Sequence, residues 1–359
     1  MKKTLSACSY SLLVLGIVST FAVISFSLAH AADRIAVIPL LGGAVGNAQV
    51  TDVVKGKTFS SKEAGKGAVG TLVLPPCAQT YTNSIGMTFN ILPAGGFIMG
   101  SPADEPGGPY EDETQHAVQL HSFYMQTTEV TQKQWQDIIG NNPASGNTGD
   151  EYPIESVNWF EAAYFANALS QAEGRSICYE LTGCSPIPGN DMVCSGVTIL
   201  STCTGYRLPT EAQWEYAARA TTTTPWAYAY HYDTSTDPGQ ALSGFNSNLD
   251  AMGWYVFNNE TGYADGTKPV AKKQANKWGL FDMHGNVWEW CQDWYGDYPS
   301  GGIISRDPQG PATGGQRVAR GGHWHVFPTT ARSAVREGNV PPDIASPTIG
   351  FRLVLPAGQ

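Results

Sequence analysis

Forty glycines and 23 prolines punctuate this chain of 359 residues, and that punctuation limits what it can fold into. Glycine weakens a helix interior and proline breaks one, so little room is left for long helices. Charged residues are only 14% of the chain, against about a quarter in a typical domain. Ten Trp and 16 Tyr supply bulky apolar surface instead. The expectation is a loop-rich domain that turns often around an aromatic core, with length for one large domain and a small one.

The N-terminus speaks to location. Met1-Lys-Lys3 is a basic head, residues 12–28 are almost wholly apolar or small, and Ala29-His-Ala31 offers an A-x-A cleavage site. Together they read as a signal peptide over residues 1–31. A membrane anchor is the rival, since the apolar run approaches spanning length. The A-x-A ending and the lack of flanking charge disfavour it. No later segment is apolar enough to span a bilayer, so no transmembrane segment is expected after cleavage. The protein is expected to be exported, to the periplasm, the cell surface or the medium. The net charge of −10 becomes two units more negative once Lys2 and Lys3 leave with the leader. An acidic surface repels phosphate backbones, so nucleic acid is not an expected partner.

Cys178, Cys184, Cys194 and Cys203 cluster within one stretch. In an oxidising compartment such a group reads as disulfides bracing a loop, with three pairings open. Zinc is the rival, but no C-x-x-C pair is present.

Residues 32–80 carry short β-prone pieces separated by glycine, at Val50–Val54, Lys57–Phe59 and Val69–Leu74. They read as a β-rich N-terminal segment or a spacer. In the domain 81–359, strands are expected at Phe89–Leu92, Gly96–Gly100 and Val118–Met125, and a buried one at Ile349–Leu355. Three helices announce their starts by capping-box pairs: Thr131 with Gln134, Asn158 with Glu161, and Thr210 with Gln213. Gly140 and Gly174 are placed to stop the first two.

Several ordered motifs then resemble the formylglycine-generating enzyme (sulfatase-modifying factor) family. They are Phe97-Ile-Met-Gly-Ser101, His121–Thr131, Tyr206-Arg-Leu-Pro-Thr-Glu-Ala-Gln-Trp-Glu-Tyr-Ala-Ala-Arg219, Trp278–Trp290, Arg320-Gly-Gly-His-Trp324, Ala331-Arg-Ser-Ala334 and Gly350-Phe-Arg352. They span most of the chain after the leader. The resemblance implies an α+β fold of the C-type-lectin-like kind.

It also implies chemistry. The stretch matching 282–290 binds a structural calcium in that family. Here Asp282 and Glu289 would give carboxylates, and Gly285 and Val287 backbone carbonyls. A rival reading makes the two Trp residues core and the acids turn caps. Copper in the enzyme needs two cysteines, since copper(I) wants soft thiolates. Counted from Gly321-Gly322, those positions hold Val326 and Ala331, so copper chemistry by that route is not expected. His323 and His325 are the catalytic candidates: on a strand they share a face and, with His284 or His116 as a third ligand, would meet one metal such as iron. In the sulfoxide synthases of this fold the iron-binding histidines come from a further helical domain that nothing here resembles. Arg207, Glu211, Glu215 and Arg219 read as structural, mostly pairs along one helix face.

Three functions compete. The first is a non-catalytic scaffold binding a protein or small molecule through a variable C-terminal loop. The segment after Trp324 resembles the variable proteins of diversity-generating retroelements, and its contact candidates are Trp324, His325, Phe327, Glu337, Asn339 and Asp343. The second is a formylglycine-generating-type oxidase or non-haem metal enzyme acting on exported proteins or metabolites. The third is a structural envelope protein.

Overall fold

The structure is a computed structural model. It describes residues 80–357 except 106, 109, 228–244, 260–265 and 300–303, together with four short strands earlier in the chain. Those four pair antiparallel, Ser9–Leu12 with Ile24–Ser27 and Thr58–Ser60 with Val69–Thr71. They belong to a unit, Met1–Cys77, distinct from Ala78–Gln359. The expected cleavage site at 29–31 and Cys77 lie outside the described residues.

In the main unit all three expected helices form: α1 (Gln132–Ile139), α2 (Trp159–Ala172) and α3 (Glu211–Arg219). In each, the side chain of Thr131, Asn158 or Thr210 accepts from the N3 amide. The N3 side chain, Gln134, Glu161 or Gln213, accepts from the N-cap amide in return. Such a cap contributes about 1 kcal/mol, which matters for helices this short. Gly140 ends α1 with a left-handed φ of +90°, a conformation glycine adopts without a Cβ penalty.

The strands run β1 (Thr80–Thr82), β2 (Thr88–Leu92), β3 (Gly95–Met99), β4 (His116–Leu120), β5 (Phe123–Gln126), β6 (Tyr179–Thr182), β7 (Gly196–Ile199), β8 (Trp288–Trp294), β9 (Ser305–Arg306), β10 (Arg317–Arg320), β11 (Arg336–Val340), β12 (Ile349–Gly350) and β13 (Val354–Pro356). They make small sheets in the orders β13-β5-β2-β1, β9-β4-β3, β11-β10-β8-β12 and β6-β7.

Two expected strands break in the same way. Val118–Met125 splits at His121-Ser122, where the His121 amide turns to bond Asp307, and its halves join different sheets. Ile349–Leu355 also splits. Its first half runs parallel to β8 and its last antiparallel to β5. Between them, the Phe351 and Leu353 carbonyls accept from the amides of Val130 and Gln126. The whole crossing is buried, but it is not one strand.

The core is aromatic, as the composition requires. Trp135 stacks on Phe165 at 5.4 Å, and Phe351 meets both edge-on. The cysteine cluster resolves into nested disulfides, Cys178–Cys203 around Cys184–Cys194, which staple the β6–β7 hairpin. Among the described residues no helix is long and apolar enough to cross a membrane.

Candidate functional site

The segment 320–336 is mounted on buried ion pairs. Arg320 and Arg219 share the Glu215 carboxylate. Arg336 grips Glu211, with Nε at 2.6 Å. Arg332 binds Glu105 at 2.6 Å and Glu113 at 2.9 Å. Arg352 holds Glu289 through two nitrogens at 2.6 and 2.7 Å. Arg207, Glu211, Glu215 and Arg219 are thus structural, as expected, and Glu215–Arg219 is a buried pair along the helix; what goes beyond the expectation is how far the other partners lie. All nine residues of α3 are buried, and its acids reach across to distant strands. Burial opposes ionisation of Glu215, but the charges of Arg219 and Arg320 hold its pKa below the usual carboxylate value. Removing one member of such a buried pair strands the other charge.

On this frame the chain turns at Gly321 and Gly322, with φ of +101° and +79°. A Cβ on Gly322 would stand 3.0 Å from the Val326 Cγ2 and 3.2 Å from the Ala331 Cβ. The two positions that would carry copper-binding thiolates thus do come together, and both present hydrocarbon. Val326 and Ala331 pack with Trp226, Ala227, Leu249, Met252 and Tyr255. The one free cysteine among the described residues, Cys291, is buried in the core. Burial, then the Asp293 charge, push its thiol pKa up, so it stays protonated and a poor ligand.

The histidines do not form the shared face that a strand would give. Residues 323–327 are a turn. His323 Nδ1 accepts from the His325 amide, and the two rings lie 6.3 Å apart, tilted by 67°. Burial lowers the His323 pKa to about 4. Neither suggested third ligand is available. His284 is buried, with Nδ1 bonded to the Ala331 carbonyl and Nε2 accepting from the Ala227 amide. His116 packs against the Tyr298 ring at 4.4 Å, tilted by 50°, and bonds the Thr114 carbonyl.

The six contact candidates are spread over three places rather than one loop. Trp324 and His325 stack at 5.1 Å in the turn. Next to them Phe327 is 46% exposed and meets the half-exposed Phe257 at 5.6 Å. Glu337 and Asn339 fall on β11, the edge strand of its sheet, and Asp343 lies on the exposed turn that follows. The polar Arg336-Glu-Gly-Asn-Val340 reads as loop in sequence; backbone pairing with β10 makes it a strand.

The expected calcium ligands are near one another but unequally free. Glu289 is bound through both oxygens, by Arg352 and by the Trp214 indole. Asp282 accepts from the Ala271 amide through one oxygen. Its other oxygen is buried with no partner, as is one oxygen of Glu129. Glu129 gave no sequence signal, yet it completes a set of three buried carboxylates facing the single Arg352 guanidinium. Burial raises the Asp282 pKa to about 6 and holds that of Glu129 well above the usual carboxylate value, with the Asp282 charge the next contributor to Glu129. The site is short of positive charge. Asp282 fits a hard cation, whereas Glu289 reaches one only by sharing oxygens with Arg352. Among the described residues no three His, Cys, Asp or Glu side chains are arranged as a metal cluster, so calcium there would lean on the Gly285 and Val287 carbonyls.

Residues 79–357 match the sulfatase-modifying factor enzyme 1-like domain. The chain belongs to the sulfatase-modifying factor family. Within and around that family, it is 33% identical to the chaperone protein LppX of Paenibacillus barcinonensis, over 66% of this chain and 81% of that one. It is 31% identical to the formylglycine-generating enzyme of Streptomyces coelicolor, over 73% and 87%. Among solved structures, the Treponema denticola variable protein 1 superposes with a TM-score of 0.62 at 31% identity, over 79% of this chain and all of that one. The sulfatase-modifying factor domain accordingly has the formylglycine-generating-enzyme type of C-type-lectin-like fold.

Proposed function

We propose that this sulfatase-modifying factor domain is an exported, non-catalytic scaffold. It binds a protein or small-molecule ligand through the half-exposed turn of Trp324, His325 and Phe327, with Glu337, Asn339 and Asp343 contributing further along the segment. The reading rests on one observation. The two side chains flanking Gly322 are those of Val326 and Ala331, and neither can bind copper or form a mixed disulfide with a substrate cysteine. Copper(I) chemistry needs soft donors at that point. A stacked and exposed aromatic group is instead what recognition surfaces use. The likeness to a variable protein over that protein's whole length supports binding as the role of this segment.

In the same reading residues 1–31 are a leader, 32–80 a spacer or β-rich attachment segment, and calcium is a structural ion near Asp282. The two disulfides favour the oxidising side of a membrane. Elemental analysis of protein made with added copper, iron and calcium tests the scaffold reading. The expected result is calcium without copper or iron at one per chain. Stoichiometric copper or iron would return the domain to the oxidases.

A further inference from the structure

Among the described residues six arginines are buried and Arg207 is half-buried, and Arg317 and Arg207 differ from the rest. Arg219, Arg320, Arg332, Arg336 and Arg352 each touch a carboxylate. Arg207 and Arg317 form no ion pair among the described residues. Arg317 is only 2% exposed. Its guanidinium is clasped between the rings of Trp159 at 3.8 Å and Trp294 at 3.4 Å. One nitrogen donates to the Gln292 carbonyl, while Nε is buried with no partner at all. Arg207 donates one nitrogen to the Leu208 carbonyl and the Gln213 side chain.

Both line the same open groove, about 1590 Å3 in volume. One wall is the β7 strand and the chain after it, residues 197–204. The other is residues 307–312. The charges lining it are uneven. Arg207, Arg317 and Arg175, the last paired with Glu173 at 3.7 Å, line it against one lining carboxylate, Asp307, which His121 already holds; the buried Asp293 lies close enough for its charge to act on both Arg207 and Arg317. On a chain of net charge −10 this is a positive island, and a concave one focuses its field on anions. Buried charges in proteins are almost always paired, so a buried Arg317 with no ion pair among the described residues, beside a half-buried Arg207 on the same groove, points to a partner that arrives from outside.

We propose that this groove is a second binding site, which takes an extended acidic peptide and seats its carboxylates on Arg207 and Arg317. The planar guanidinium donates forked hydrogen bonds that match a carboxylate. The volume far exceeds a lone ion and suits several residues of chain. β7 pairs with β6 on one side only, leaving an edge along the groove wall to which a peptide backbone can add. The groove shares no lining residue with the segment 323–343, so it stands apart from the binding face above.

The test is fluorescence anisotropy of a labelled oligopeptide of alternating Glu and Thr against the full mature chain, with a Lys–Thr peptide as control. The Glu peptide is expected to bind, more weakly as salt rises, and the Lys peptide not to bind. Arg207→Gln and Arg317→Met should each weaken binding about tenfold or more, the scale of losing a charge-assisted pair. If Arg317→Met fails to fold by near-UV circular dichroism, Arg207→Gln decides alone. Equal binding of both peptides, or wild-type binding by a folded Arg207→Gln variant, overturns the site. An oligogalacturonate that binds while the Glu peptide does not would overturn the peptide assignment.

Discussion

The guanidiniums beneath segment 320–336 and those beneath the groove share burial but not company. Arg332 sits among Ser101, Glu105 and Glu113 with its charge matched. Arg317 sits between two indole rings with no carboxylate in contact, and the buried Asp293 acts on it only at a distance. The first kind ties distant parts of the chain together: Arg332 and Glu113 are 219 residues apart in sequence. The second kind ties little and keeps its hydrogen-bonding capacity in hand. A buried arginine with a carboxylate is finished as structure; one without is a site.

The largest expected effect breaks the matched set. Arg332→Met should destabilise by about 3–5 kcal/mol in urea unfolding, because it leaves Glu105 and Glu113 buried without a counter-charge. A loss below about 1 kcal/mol would mean that these pairs do not carry the frame.

Next comes the groove wall. Replacing Cys178 and Cys203 with serine opens a bridge with a sequence separation of 25. That should lower stability by about 3 kcal/mol through the entropy of the unfolded chain. Peptide binding in the groove should fall in the same variant, whereas the ion-paired interior stays intact by near-UV circular dichroism.

A third prediction sharpens the electrostatics between the two regions. Asp293 is buried near both. Burial and the Glu211 charge raise its pKa to about 7, while the Glu211 amide, Arg207 and Arg317 pull the other way. A folded value above the unfolded 3.8 means that the native state holds this proton more tightly. Its contribution is therefore fully present below pH 3.8 and lost as the pH climbs through about 7. Asp293→Asn keeps an acceptor for the Glu211 amide and removes the charge. It should stabilise by about 2 kcal/mol above neutral pH and flatten the thermal-melting profile between the unfolded value of 3.8 and about 7, where only the native carboxyl keeps its proton. An unchanged profile would show that Asp293 is already matched by the groove arginines.

The smallest effect belongs to Arg317→Met. It removes two ring contacts and one hydrogen bond but strands no carboxylate, so about 1 kcal/mol is expected. A loss as large as that of Arg332→Met would erase the distinction between the two kinds.

What the sequence made legible was local. The capping boxes at Thr131, Asn158 and Thr210 need partners only three residues away, and all three form. The motif order revealed the fold through resemblance, and the distance from Gly322 to Val326 and Ala331 could be counted in residues. What stayed hidden depended on chain crossings. The break at His121-Ser122 follows from an aspartate 186 residues downstream. The carboxylate partners of Arg320, Arg332 and Arg336 lie more than a hundred residues from them, so of the ion pairs around α3 only Glu215–Arg219 was legible in sequence. Glu129 was silent because nothing near it in sequence marks it as part of the Asp282 cluster. The groove was silent for the same reason: it is assembled from the disulfide-stapled hairpin, β8, β10 and the final residues.

The central claim is that hydrocarbon at Val326 and Ala331 leaves this domain without the oxidase chemistry of its relatives. Incubation of the purified mature chain with copper(I), oxygen and a cysteine-bearing sulfatase peptide tests that directly, with peptide aldehyde read by mass spectrometry. The account predicts no aldehyde above a copper-only control. Catalytic aldehyde formation that needs the protein would contradict it.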